Sequence, residues 1–216
     1  MDIAILIYDR FTALDAVGPY EVLSRLPGAR TTFVAVQSGP VMTDNGALTL
    51  VAERSLDEVG DPDIVLVPGG PGEVAARAGG AVLEWLRAKH ETTTWTTSVC
   101  TGSLILAAAG LLEGRRATSH WLALGQLREL GAEPVSDRVV FDGKLVTAAG
   151  VSAGIDMALA LAAQIAGVEL AQAIQLGIEY DPQPPFDAGS PEKAPPAIVE
   201  RVRARARFAD TPAPQR

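Results

Sequence analysis

Four short, unbroken apolar runs, at residues 3–7, 32–36, 64–67 and 94–99, constrain this chain more than any other feature. They are rich in β-branched residues and do not alternate with polar ones. Strands covered on both faces have this pattern, whereas strands with one wet face alternate. Helical stretches lie between or after most of the runs. Residues 14–26 carry Pro19 at a place the first turn of a helix tolerates, and residues 81–90 set Val82, Leu83, Trp85 and Leu86 at helical spacing. Residues 103–112 form a third, with Gly110 and Gly114 near its end. This alternation predicts right-handed βαβ units and a mainly parallel sheet with helices on both faces, a three-layer α/β/α sandwich. Functional groups in such a sheet gather beyond the C-terminal ends of the strands.

Two segments depart from the alternation. Asp44-Asn45-Gly46 reads as a tight turn, and residues 139–147 as a hairpin turning at Asp142-Gly143, both expected as decorations on the sheet. An Ala-rich helix is expected over 153–166, broken at Gly167 and resumed over 169–177. Residues 181–196 are too Pro-rich for regular structure, and a last helix is expected over 197–208. With 216 residues, 48% of them hydrophobic, the chain suits one core: a single domain over 1–208 and a disordered tail over 209–216.

Bulk properties narrow the function. No apolar run reaches the roughly 18–20 residues of a membrane span, and the N-terminus lacks the basic flank of a signal peptide, so a cytoplasmic protein is expected. One cysteine and two histidines, His90 and His120, give neither a disulfide framework nor a zinc-like cluster, so no metal is expected. A formal charge of −8 disfavours nucleic acid.

The lone cysteine stands where the fourth run meets an Ala/Leu-rich helical stretch, in Ser98-Val99-Cys100-Thr101-Gly102. This small-x-nucleophile-x-Gly order has the form of a nucleophile elbow, in which a strained turn lifts a side chain above the sheet. A nearby helix N-terminus favours thiolate, and lowering a thiol pKa of about 8.5 by ~2 units makes thiolate the major form at neutral pH. The competing role for Cys100 is that of a small buried hydrophobe.

Asp15, after the first run, belongs to the same sheet edge. An ionised carboxylate beside a thiolate raises both pKa values, so a productive pair shares one proton, with Asp15 as general acid. The other reading of Asp15 is a helix N-terminal carboxylate, and Glu21 is the fallback acid. Pro68-Gly69-Gly70-Pro71-Gly72 lacks phosphate-loop spacing. It is either a mere tight turn or the source of the Gly70 N–H, which with that of Thr101 would face developing negative charge. The Thr101 hydroxyl either binds substrate or water or caps the following helix. His120 is left outside the catalytic set. Tyr20, Trp121 and residues 149–154 either shape a small apolar pocket or pack the core.

With these residues in place, the chain resembles the ThiJ/PfpI superfamily, of class I glutamine amidotransferase-like, flavodoxin-like fold. The resemblance spans nearly the whole chain, through Leu14-Asp15, Gly18-Pro19, Val67-Pro68-Gly69-Gly70, Thr97 to Ser103, Gly114 to Trp121, Ala153-Gly154-Ile155-Asp156 and Glu179-Tyr180. Asp15, where the wider superfamily commonly has glutamate, and the Pro-rich stretch around Phe186 resemble its isonitrile hydratase branch. That resemblance implies hydration of a small-molecule isocyanide to an N-substituted formamide through a Cys100 thioimidate, with Asp15 as general acid and base. It also implies a homodimer, no cofactor and a small apolar pocket. The rival readings are a glyoxalase or deglycase using the same cysteine, and a cysteine-based ligand or redox sensor. Relatives of the second kind begin transcription regulators, but the chain leaves no room for a helix-turn-helix module after residue 196.

Overall fold

The computed structural model describes residues 1–205. In chain order its elements are β1 (Asp2–Leu6), α1 (Ala13–Leu23), β2 (Arg30–Ala35), β3 (Gly39–Met42), β4 (Thr49–Ala52), β5 (Arg54–Ser55), β6 (Ile64–Val67), α2 (Glu73–Ala78), α3 (Gly80–Thr92) and β7 (Trp95–Val99). They continue with α4 (Gly102–Ala108), β8 (Arg116–Ala117), α5 (Leu124–Glu129), β9 (Glu133–Pro134), β10 (Val139–Asp142), β11 (Leu145–Ala148), α6 (Ala153–Ala166), α7 (Val168–Gly177) and α8 (Pro196–Ala204). Seven strands form one sheet in the order β10-β11-β7-β6-β1-β2-β5, parallel except for the β10–β11 pair. Helices α1, α6 and α7 pack together, as do α2, α3, α4 and α5, which gives the expected α/β/α sandwich.

The unbroken apolar runs explain why the sheet is central. Every residue of β6 is buried, as is Ile3 to Leu6 of β1. β7 is buried from Thr96 to Val99 although it carries Thr96, Thr97 and Ser98; the Thr97 hydroxyl donates to the Val65 carbonyl at 3.0 Å, so burial leaves that group paired. From β1 the chain goes to β2 on one side and later returns through β6 and β7 on the other. That reversal opens a crevice beyond the C-terminal ends of β1 and β6, where ligands bind in open α/β sheets.

Three expectations need correction. The 139–147 hairpin is no decoration: β11 is wholly buried and pairs parallel with β7, so the hairpin completes the main sheet. Pro19 lies inside α1 rather than in its first turn. It is accommodated where α1 and α6 press together, so closely that a Cβ on Gly154 would lie 3.1 Å from the Pro19 ring. Short helices α2 and α5 were not anticipated. The last helix is Pro196–Ala204, ending in a turn at Arg205, and residues 206–208 of its expected span, with the 209–216 tail, fall outside the described residues.

Candidate active site

Cys100 occupies the junction of β7 and α4 with φ of 58°, a left-handed conformation costly for a residue with a side chain. Its surroundings impose that conformation. The Cys100 N–H donates to the carbonyls of Ala148 and Ala149 at 3.1 and 3.0 Å, at the end of β11. Its own carbonyl accepts from Ser103 Oγ at 3.2 Å and Ser119 Oγ at 3.0 Å. Gly102 lets α4 start against β6, since a Cβ there would lie 2.1 Å from the Val67 carbonyl oxygen. The cysteine is therefore held on a turn tied to four separate segments.

The 68–72 loop lies against this turn: a Cβ on Gly69 would come within 2.5 Å of the Thr101 nitrogen and 2.9 Å of Cys100 Cβ. Asp15, in the first turn of α1, accepts the Gly69 N–H on Oδ2 at 2.9 Å. Its Oδ1 has no regular hydrogen-bond partner, and the carboxyl lies near enough to the Cys100 thiol for each to alter the other's protonation. The Gly70 N–H, expected to face developing charge, donates instead to Thr101 Oγ1 at 3.0 Å in this structure. The Thr101 hydroxyl does not cap α4. By accepting from Gly70 it leaves its own proton to donate elsewhere.

Burial dominates the electrostatics. Asp15 is fully buried, and desolvation pushes its carboxyl up to about 7, against the lowering effect of the Gly69 N–H. The Cys100 thiol is pushed well above its usual value, first by burial and then by the Asp15 charge. The Thr101 and Val151 N–H groups, both directed at the sulfur, act the other way without prevailing. This corrects the expectation of a thiol made acidic by its helix: α4 is only seven residues long, and burial outweighs it. Both members of the pair are raised, but Cys100 itself acts to lower the Asp15 carboxyl, and burial raises it, whereas the Asp15 charge adds to burial in raising the thiol.

Cys100 is itself inaccessible to solvent, but a cleft of about 600 Å³ borders the turn. Val151, whose N–H faces the sulfur, and Ser119, bonded to the Cys100 carbonyl, both line it. Val151 is a β-branched residue at φ 37°, a second strained position next to the thiol. The cleft is large enough for a small organic molecule. It is not the small apolar pocket expected, because His120, Arg138, Glu192 and Arg203 line it with Trp121. His120 Nδ1 accepts from Leu122 N–H at 3.3 Å, and its ring stacks on Trp121. Tyr20 packs on Phe33 instead, and Glu21 pairs with Arg25 on the exposed face of α1. The 149–154 stretch does line the cleft, as one of its two readings expects, but sequence reasoning missed the Val151 N–H facing the sulfur, and it missed Tyr8, whose hydroxyl bonds the Pro68 carbonyl. Among the described residues, no group of three or more His, Cys, Asp or Glu side chains is placed to hold a metal ion.

The chain is 44% identical over 206 residues to an isonitrile hydratase of Pseudomonas putida, an alignment covering 95% of this chain and 90% of that one. A crystal structure of a ThiJ/PfpI family protein from Pseudomonas syringae superposes with a TM-score of 0.90 at 40% identity, covering 95% of this chain and 87% of the other. A helix-turn-helix transcriptional regulator of Pseudomonas aeruginosa is 33% identical over 73% of this chain, which spans 48% of the regulator. The family model for DJ-1/PfpI matches residues 1–164, and the chain belongs to the DJ-1/PfpI family.

Proposed function

We propose that this protein is an isonitrile hydratase, a hydro-lyase that adds water to R–NC to give R–NH–CHO. The observation that carries the reading is the 44% identity to the Pseudomonas putida isonitrile hydratase across 95% of the chain. The Asp15–Cys100 pair supplies a chemistry to match. Sulfur attacks the terminal isonitrile carbon, and the proton shared with Asp15 is delivered to that carbon, giving the thioimidate R–N=CH–S–Cys100. Asp15, now a carboxylate, takes a proton from water as the water oxygen adds to the same carbon, passes that proton to the imine nitrogen, and takes the new hydroxyl's proton as the carbonyl forms. The C–S bond then breaks, the formamide leaves, and one proton is again shared by the pair. Thr101, its hydroxyl oriented by the Gly70 N–H, donates to the charge that develops on bound substrate or to the attacking water. The cleft beside Val151 receives the R group.

The partner and the compartment are part of the proposal. We place the enzyme in the cytoplasm, where a reducing environment keeps a lone nucleophilic thiol free. Among the described residues no helix is long and apolar enough to cross a membrane. A homodimer is part of the proposal because the family resemblance implies one; light scattering at twice the chain mass tests it. The reaction is tested by incubating the protein with cyclohexyl isonitrile and quantifying N-cyclohexylformamide. Turnover is expected from wild type and none from Cys100→Ala; wild-type formation no faster than buffer overturns the assignment.

A further inference from the structure

Tyr8 follows β1, is buried, and takes no part in the bond-making steps above. Its hydroxyl donates to the Pro68 carbonyl oxygen at 2.8 Å. That carbonyl and the Gly69 N–H belong to one planar peptide group, and the N–H donates to Asp15 Oδ2 at 2.9 Å. A peptide that accepts at oxygen becomes a stronger donor at nitrogen, and fixing one end of the plane fixes the other. The ring supports the same loop: a Cβ on Gly72 would lie 3.2 Å from Tyr8 Cδ2, and Phe11 packs edge-on against the ring at 6.4 Å.

We propose that Tyr8 is a positioning residue of the hydratase: acting through the peptide between Pro68 and Gly69, it holds an N–H on the Asp15 carboxylate and sets the pH at which the Asp15–Cys100 pair releases its first proton. This rests on the hydratase reading for what the pair does. The charged and titratable groups facing Asp15 are Cys100 from the elbow, Tyr8 from the end of β1, and Asp44, which accepts from Thr12 Oγ1 at 3.1 Å. Glu73 faces Tyr8 from α2. Burial, together with the charges of Asp15, Glu73 and Cys100, holds the phenol far above its ordinary value, so it remains a donor over the whole working range.

Tyr8→Phe keeps the ring and removes the donor. Two profiles are measured on the same preparation: kcat/KM for cyclohexyl isonitrile against pH, and the rate of Cys100 alkylation by iodoacetamide against pH. Losing the donor destabilises the Asp15 carboxylate, so the acid-side inflection of both profiles should move up by about half to one pH unit, a three- to tenfold change in the first ionisation constant. Installing 3-fluorotyrosine at position 8, a stronger donor of nearly the same shape, should move it down. Inflections that stay in place in both variants, whatever happens to the height of the curves, overturn the proposal. A shifted alkylation profile in a protein that forms no formamide would instead retain the Tyr8 relay and reject the hydratase reading.

Discussion

Asp15 and Glu73 lie against opposite ends of the 68–72 loop, and burial pushes both carboxyls up to about 7, yet their surroundings differ. Glu73 has Arg77 Nε 3.0 Å from its Oε2, one turn along α2, and Arg77 reaches solvent. Among the described residues no cation pairs with Asp15: it has one backbone N–H on Oδ2 and the Cys100 thiol close enough to alter its protonation. A raised carboxyl pKa is thus common to both ends of the loop and cannot by itself mark the reacting group. What separates them is that only Asp15 is turned toward a nucleophile whose protonation it alters.

The largest expected effects break this symmetry. Cys100→Ala should abolish formamide production. Asp15→Asn should lower kcat/KM by at least ~100-fold, the usual scale for a general acid–base group, whereas Glu73→Gln should remain within about threefold of wild type. Equal losses in the two carboxyl variants, followed by formamide appearance, would erase the distinction.

Stability should show the opposite pattern, with the two carboxyls alike. Each has a folded-state pKa of about 7, above its unfolded value, so the stability it allows is complete below about pH 4 and is lost as pH rises toward 7. Asp15→Asn should therefore melt higher than wild type at pH 8, with the gain shrinking to nothing near pH 4. A shift of about three units bounds the gain at ~4 kcal/mol, and shared protonation with Cys100 brings it below that bound. Glu73→Gln should shift the same way but less, since it also gives up Arg77. Thermal melts from pH 4 to 8 check both, and an Asp15→Asn protein less stable than wild type at pH 8 would contradict the burial argument.

A further contrast lies between two glycines of one turn and loop. Both alanine variants meet backbone and should lower the melting temperature, but Gly102→Ala presses on the Val67 carbonyl, whereas Gly69→Ala presses on Thr101 and Cys100 and should lose kcat beyond what its melting temperature accounts for. Comparing melts with turnover for the two variants tests this.

Much of this was legible in the chain. The apolar runs at 3–7 and 64–67 could be read as covered parallel strands because continuous burial leaves no alternation, and from there Asp15, Gly70 and Cys100 fell on one edge. Contacts set by distant pairing were not legible. β11 joins β7 about fifty residues earlier, Tyr8 bonds a carbonyl sixty residues on, and the Val151 N–H reaches Cys100 only because α6 begins over the elbow. The direction of the Cys100 shift was misjudged for a physical reason: a turn motif reveals the helix start but not how completely packing excludes water from it.

The central claim is that Cys100 sulfur bonds the isonitrile carbon before water does, and rapid quenching followed by intact-mass spectrometry tests it most directly. Wild-type protein mixed with excess cyclohexyl isonitrile should gain the mass of one isonitrile within the first turnover, mapped by peptide digestion to Cys100, and Cys100→Ala should gain nothing. Cys100→Ala protein that produces formamide at the wild-type rate without any adduct would contradict the account.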